Sequence, residues 1–189
     1  ALDLRPATEP RRALREDRFA YVPLHTLAPS MDRLLGMRRL FGLRSPVNTA
    51  VRLLNPADAP CGVDGVFHPA YIDVHLGVAE RMGRGRLVVL KGGGGEAERV
   101  PLKPAEVAAW DAAHGRQALT LPAVADLVPH PSVDDAPGLL DAVWRGEATP
   151  VTPLATIQAT IALGLLALRP QRSPAEAMQD AANIWAQRL

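Results

Sequence analysis

The sequence predicts an α/β protein: a three-layer domain with a largely parallel central sheet flanked by helices. Three observations carry this expectation. Strand-like and helix-like segments alternate along the chain, with no internal repeat, as they do where strands are joined by crossover helices. The run Leu87-Val88-Val89-Leu90 is apolar at every position, which suits a strand covered on both faces and therefore central and parallel. The chain has 189 residues, 48% of them hydrophobic and 22% charged. That is one domain's worth of ordinary globular composition, and it excludes general disorder.

The elements follow in order. Leu2 and Leu4 suit the end of a strand, and Thr8, ahead of Glu9 and Pro10, suits a helix start with Ala13 and Leu14 as its apolar face. Phe19 to Leu24 reads as a strand. Ser30 is placed to cap a helix that turns Leu34, Leu35, Leu40 and Phe41 inward and Arg33, Arg38 and Arg39 outward, and Gly42 ends it. Asn48 to Leu54 reads as a short helix stopped by Asn55-Pro56. Gly62 to Phe67 is a short strand, and Ala70 to Met82 a helix with Ile72, Leu76 and Ala79 on one face. After the central strand comes Lys91-Gly92-Gly93-Gly94-Gly95-Glu96. Pro104 to Trp110 then reads as helix and Gln117 to Leu121 as strand.

The rest reads as helix: 138–145, 153–168 and 173–189. Ser173-Pro174-Ala175-Glu176 is a capping box with proline in the first turn. The uncharged stretch Ala148 to Leu168 contains four threonines and two prolines and suits a buried helix rather than a membrane span, so no membrane partner is expected. A single cysteine, Cys61, allows no internal disulfide framework. With no signal-like start in view, a cytoplasmic setting is the expectation.

Charge is unevenly placed. Net charge is +1, yet residues 1–55 hold ten arginines and five acids, while residues 104–189 hold five arginines and nine acids. Only Lys91 and Lys103 are lysines. Arginine presents a planar fork that pairs with phosphate oxygens. Arg33, Arg38, Arg39, Arg44 and Arg52 fall within twenty residues, and Asp32 is the one acid from Met31 to Asn55. Such a group is either a solvated helix face or a contact for an anionic partner. Phe41 is the one aromatic among them, so phosphate contact is the plainer proposal and base stacking the poorer one.

The glycine loop falls at the carboxyl end of the central strand, where open α/β sheets hold their ligands. Gly92, Gly93 and Gly94 are therefore candidates for an anion nest, with a flexible turn as the alternative. The loop is neither a GxGxxG nor a Walker loop. Glu96 and Glu98 are the only carboxylates beside it and the only metal candidates, against the plainer reading of a solvated strand edge. The histidines are scattered and show no zinc spacing, no nucleophile and base stand at a recognisable spacing, and Cys61 reads as a small apolar filler. No catalytic residue is assigned.

Three stretches carry a family resemblance. Arg44-Ser45-Pro46-Val47-Asn48 through Asn55-Pro56 resembles the R-T-x-x-N-x-x-G-P-x-x-N-P segment of anthranilate phosphoribosyltransferases. Gly65-Val66-Phe67-His68-Pro69 resembles the G-V-[FY]-[DH]-P that follows it. Residues 86–90 with the glycine loop resemble the family's strand and H-G-x-D-G-x-D-E loop. Order and spacing agree over most of residues 19–110. The resemblance implies the glycosyltransferase family 3 superfamily, with its phosphoribosyltransferase and nucleoside phosphorylase type of α/β domain. It implies phosphoribosyl pyrophosphate as a substrate, Mg2+ as the cofactor of any retained activity, Asn48 on the substrate side, and a homodimer formed through N-terminal helices.

The departures point elsewhere. The family's Gly-Pro falls at Val51-Arg52. Its paired magnesium acids fall at Glu96 and Ala97, with Glu98 the replacement under a register shift. Neither the N-terminal helices nor the G-T-G-G-D loop is in this sequence, so residues 1–189 are expected to form one α/β domain without them. The loop Lys91 to Glu96 is similar to that of a sister branch with the same fold, no established phosphoribosyl transfer, and nucleic-acid binding without strong sequence preference. The resulting expectation is a protein without anthranilate activity that binds nucleic acid through Arg33, Arg38, Arg39, Arg44, Arg52, Lys91 and Lys103. The alternative is a phosphoribosyl or glycosyl transferase with an altered acceptor.

Overall fold

The computed structural model describes residues 6–43, 45–130 and 136–188. The chain divides into two compact units, Ala1–Asp58 and Ala59–Leu189.

The first unit is built of short helices: α1 (Pro10–Glu16), α2 (Leu24–Leu27), α3 (Pro29–Gly36), α4 (Arg38–Phe41) and α5 (Val47–Ala50), followed by a 3-10 turn over Val51–Leu53. The expected strand over 19–24 does not form; Pro23 is extended and α2 starts directly after it. A strand exists only through a partner; among the described residues this segment's one backbone bond outside the α2 turn runs from the Ala7 amide to the Tyr21 carbonyl at 2.8 Å. Thr8 and Ser30 cap nothing. Both helices begin on proline, Pro10 and Pro29, which is preorganised for a first turn and has no N–H to satisfy. Gly42 closes α4 in the left-handed conformation, φ +67°, as expected.

The second unit carries a four-stranded sheet of order β1-β2-β3-β4: β1 (Cys61–Val66), β2 (Arg86–Lys91), β3 (Ala105–Asp111) and β4 (Gly115–Leu121). Helices α6 (Tyr71–Arg81), α7 (Ala136–Arg145), α8 (Val151–Leu168) and α9 (Pro174–Ala186) complete it. The sheet is flanked by helices on both faces, and β2 is internal. The sheet is mixed rather than largely parallel: β1 and β2 are parallel through the α6 crossover, while β2–β3 and β3–β4 are antiparallel. The cause is the nature of the connections. Residues 92–104 contain no helix to carry the chain back, and the Ala112–His114 turn is too short for anything but a hairpin.

The helix expected at 104–110 is β3. Its apolar residues are split between faces: Val107 and Ala109 pack with α8 and α9, and Ala108 and Trp110 pack with α6. A strand covered on both sides shows a nearly continuous apolar run, which periodicity alone does not separate from a buried helix. The same alternation runs through β2. Val88 and Leu90 face Ala162, Leu163, Leu166 and Ala181, whereas Leu87 and Val89 face Leu76 and Ala79. Each fully buried aliphatic side chain here contributes about 1.5–3 kcal/mol through burial. Helix α8 is long and apolar enough by length and composition to cross a membrane. Here its Ala159, Ala162, Leu163, Leu166 and Ala167 are buried in the core of this unit. The capping box of α9 is present: the Ser173 hydroxyl accepts from the Glu176 amide, and the Glu176 carboxylate accepts from the Ser173 amide.

Candidate functional site

Strands β1, β2 and β4 all end on one side of the sheet, at Val66, Lys91 and Leu121. The glycine loop leaves β2 there. Its course is set by a close approach: a Cβ on Gly65 or on Gly92 would lie 2.1 Å from the Glu96 main chain. Only glycine at both positions lets the loop fold back over the ends of β1 and β2. Gly95 makes the turn at φ +91°.

The loop brings Lys91, Gly92, Gly93, Gly94 and Glu96 together. Gly93 and Gly94 are exposed, while Gly92 and Gly95 are buried. Lys91 is exposed, with Nζ 3.5 Å from the Gly92 carbonyl and 5.9 Å from the centre of the Phe67 ring. Glu96 is not on a strand edge. Its carboxylate turns back and accepts the Gly94 amide at 2.7 Å. Ala97 directs its methyl group towards the core shared with α8 and α9. The magnesium position implied by resemblance therefore has one carboxylate already engaged with the backbone, and a methyl group where the second would stand. The residues present do not fit the ion. Among the described residues, no three His, Cys, Asp or Glu side chains are grouped so as to hold a metal.

Arg99 lies just beyond the loop and was not singled out by sequence reasoning. It is 3% exposed. Its amide donates to the Thr160 hydroxyl at 3.1 Å, its Nη2 donates to the Pro122 carbonyl, and its Nε is buried without a partner. Burial pushes its pKa below the ordinary arginine range. No sequence signal distinguishes it from the exposed arginines. A second buried polar side chain, His75, paired with the partly buried Asp64, was likewise missed, because a histidine on the apolar face of a helix shows no partner in sequence.

In the first unit, Arg33 on α3, Arg38 and Arg39 on α4, and Arg52 in the 3-10 turn are all exposed. Among the described residues Arg33, Arg38 and Arg39 enter no ion pair. Leu40 and Phe41 beside them are also exposed, at 80% and 65%, so the expectation that this face turns inward is corrected. Four-residue helices such as α4 are too short to sustain an inward stripe. Arg44 lies outside the described residues. Asn48 donates its side-chain amide to the Ser45 carbonyl at 3.0 Å, closing its own turn. The same unit holds an open groove of about 930 Å³, lined by Leu14, Val22, Leu27 and Pro56 with Arg11 and Arg15 on α1. The Arg11–Arg15 spacing on a helix starting at Pro10 is the signal that could have found it. In the second unit, Lys103 is exposed in the bend before β3.

No family model matches the sequence. Over 80 residues the chain is 36% identical to the anthranilate phosphoribosyltransferases of Burkholderia mallei (strain SAVP1), Burkholderia pseudomallei (strain K96243) and Burkholderia thailandensis. That segment is 42% of this chain and 23% of each relative. The fold is similar to the crystal structure of anthranilate phosphoribosyltransferase from Thermus thermophilus, with a TM-score of 0.72 and 24% identity. The similarity covers 98% of this chain and 56% of that one, so the chain spans about half the length of the solved relative. Over those 80 residues the chain is homologous in sequence to anthranilate phosphoribosyltransferases, and it shares the α/β fold of the solved Thermus thermophilus protein.

Proposed function

We propose that the protein is a nucleic-acid-binding relative of these transferases that does not convert anthranilate. The observation that carries this reading is the arginine surface of the first unit. Arg33, Arg38 and Arg39 are exposed without a carboxylate partner among the described residues, and Arg52 is exposed nearby in the chain. Guanidinium groups without a carboxylate, on short helices, suit phosphate oxygens, and contacts of this kind position a nucleic acid without reading its bases. Lys91 and Lys103 are further exposed cations in the second unit. The loss of anthranilate activity is supported by Ala97 and by the engaged Glu96 carboxylate, since magnesium would otherwise neutralise the pyrophosphate leaving group. A homodimer and a cytoplasmic setting belong to the same proposal.

The test is a fluorescence-anisotropy titration of random duplex and single-stranded DNA at several salt concentrations. If about five phosphates are neutralised, log affinity falls against log salt with a slope of roughly −4 to −5. Absence of binding at low salt, or binding indifferent to salt, overturns the reading.

The transferase alternative is favoured by the 36% identity to anthranilate phosphoribosyltransferases. Release of pyrophosphate from phosphoribosyl pyrophosphate with any nitrogen acceptor, anthranilate included, would support it.

A further inference from the structure

Strand β4 is an open edge of the sheet. It pairs with β3 along its whole length, and among the described residues no other strand joins its far side. An edge strand turns half of its backbone N–H and C=O groups away from its neighbour, and these form a template for another strand. Sheets commonly guard such an edge with proline, lysine or a bulge. Gly115–Leu121 contains no proline and no lysine, and its register with β3 is unbroken over 7 residues. Arg116, Ala118 and Thr120 are exposed. They share one face of the sheet with Ala108 and Trp110, which pack with α6. Arg116, the one charge on β4, leans back to α6, with Nη2 3.1 Å from Glu80 and Nη1 3.7 Å from Asp73. The Thr120 hydroxyl donates to the Glu106 carboxylate at 2.8 Å, so an acid stands directly behind the edge.

We propose that β4 is a docking edge for a second copy of this chain, joined antiparallel about a two-fold axis through Ala118. The strand is self-complementary in that register. Ala118 stands opposite the copy's Ala118, Arg116 opposite the copy's Thr120, and Gln117 opposite the copy's Leu119. No like charges meet, and the small Ala118 side chains leave the centre unobstructed. Charge complementarity favours a second copy over a foreign strand. Arg116 opposite the copy's Thr120 lies two strand spacings, roughly 9–10 Å of backbone, from the Glu106 that Thr120 holds. The two long side chains span that gap, and the symmetry makes the ion pair twice. Two four-stranded sheets then become one continuous sheet. The seam is short beside the roughly 1,200–2,000 Å² of stable interfaces, so the association is weak and reversible. The inference involves neither the arginine surface nor the N-terminal helices through which the resemblance implies a dimer.

Sedimentation equilibrium of the whole chain, from low micromolar to millimolar protein, tests it in the parent, Ala118→Lys and Glu106→Arg. The parent should show a monomer–dimer equilibrium. Ala118→Lys sets two ammonium groups against each other on the axis and should weaken dimerisation about tenfold or more. Glu106→Arg replaces the carboxylate that faces the copy's Arg116 and should weaken it in the same direction. The register is read by cross-linking in a Cys61→Ala background with copper–phenanthroline and air. Ala118→Cys should form an intermolecular disulfide, since side chains directly opposite have Cβ atoms about 4.5–5.5 Å apart. Thr120→Cys should not, because the two copies of that position lie roughly 13 Å apart along the seam. A parent that stays monomeric at every concentration overturns the inference. So does a dimer of undiminished strength in a folded Ala118→Lys protein, which is the result expected of a dimer made through the first unit. If Ala118→Lys fails to fold, absence of the Ala118→Cys cross-link overturns it equally. The nucleic-acid reading can fail in the anisotropy titration while this dimer remains, and the reverse also holds.

Discussion

Nδ1 of His75 lies 2.8 Å from Oδ2 of Asp64, joining the buried face of α6 to β1. His75 is 1% exposed, and its other ring nitrogen, Nε2, has no partner. The Asp64 carboxylate is also 3.9 Å from Arg84. One side chain thus satisfies half of a fully buried imidazole. Asp64→Ala leaves both ring nitrogens unpaired and should destabilise the protein by about 1–3 kcal/mol in urea unfolding. In the His75→Leu background the same change should cost clearly less. Equal losses in the two backgrounds would show that the pair does not interact.

Gly65→Ala and Gly92→Ala each place a Cβ 2.1 Å from the Glu96 backbone, a contact that side-chain rotation cannot relieve. Each should lower stability by about 1–3 kcal/mol, the range of overpacked sites. Gly93→Ala meets only the flexible Glu96 carboxylate at 3.2 Å and should be nearly neutral in a thermal melt. A melt in which all three behave alike would contradict the close approach.

Asp111 ends β3 and organises the hairpin turn. Its carboxylate accepts the Ala113 amide at 2.8 Å and the His114 amide at 3.1 Å, and Arg86 is 3.3 Å away. The Ala113 amide foremost, and then His114, hold its pKa below the ordinary value of 3.8. A depressed folded-state pKa contributes stability that is present above 3.8 and is lost as pH falls through the lowered value. Urea midpoints between pH 5 and pH 2 should therefore fall, and Asp111→Asn should remove part of that fall. A variant with the parent's pH dependence would assign the acid sensitivity to other groups.

Arg38→Ala with Arg39→Ala should weaken DNA binding alike for every sequence and flatten the salt slope by about 2 units. Circular dichroism should be unchanged, because both side chains are exposed. An unaltered slope would move the phosphate contacts to other residues.

Magnesium should bind no more tightly than about millimolar, since a protein usually holds it with one or two carboxylates plus substrate phosphates. Here the Glu96 carboxylate is engaged with Gly94. Isothermal calorimetry with magnesium chloride measures this, and a micromolar site would contradict the geometry described for the loop.

The sequence by itself determined the elements whose signals are local. The capping box at Ser173 and Glu176, the αL glycine at Gly42, the apolar run of β2 and the face of α6 all lie within a few residues of their own cause, and all stand where the sequence placed them. Relatedness to the transferases was legible in the same way, through short motifs at matching spacing. Tertiary structure decided what depends on a distant partner. Ala105–Asp111 is a strand because β2 and β4 pair with it and helices cover both its faces, and no property of the segment alone separates that state from a buried helix. Phe19 to Leu24 has strand composition, yet among the described residues it joins no ladder, and strand formation requires one. The candidate site divides along the same line. Exposed arginines are visible as charge in the sequence, whereas Glu96 closing over Gly94, Arg99 buried beneath Pro122 and His75 bonded to Asp64 exist only once the chain has brought the loop, strand and helix together. Hydrogen bonds act over about 3 Å in space, and separation along the chain does not limit them.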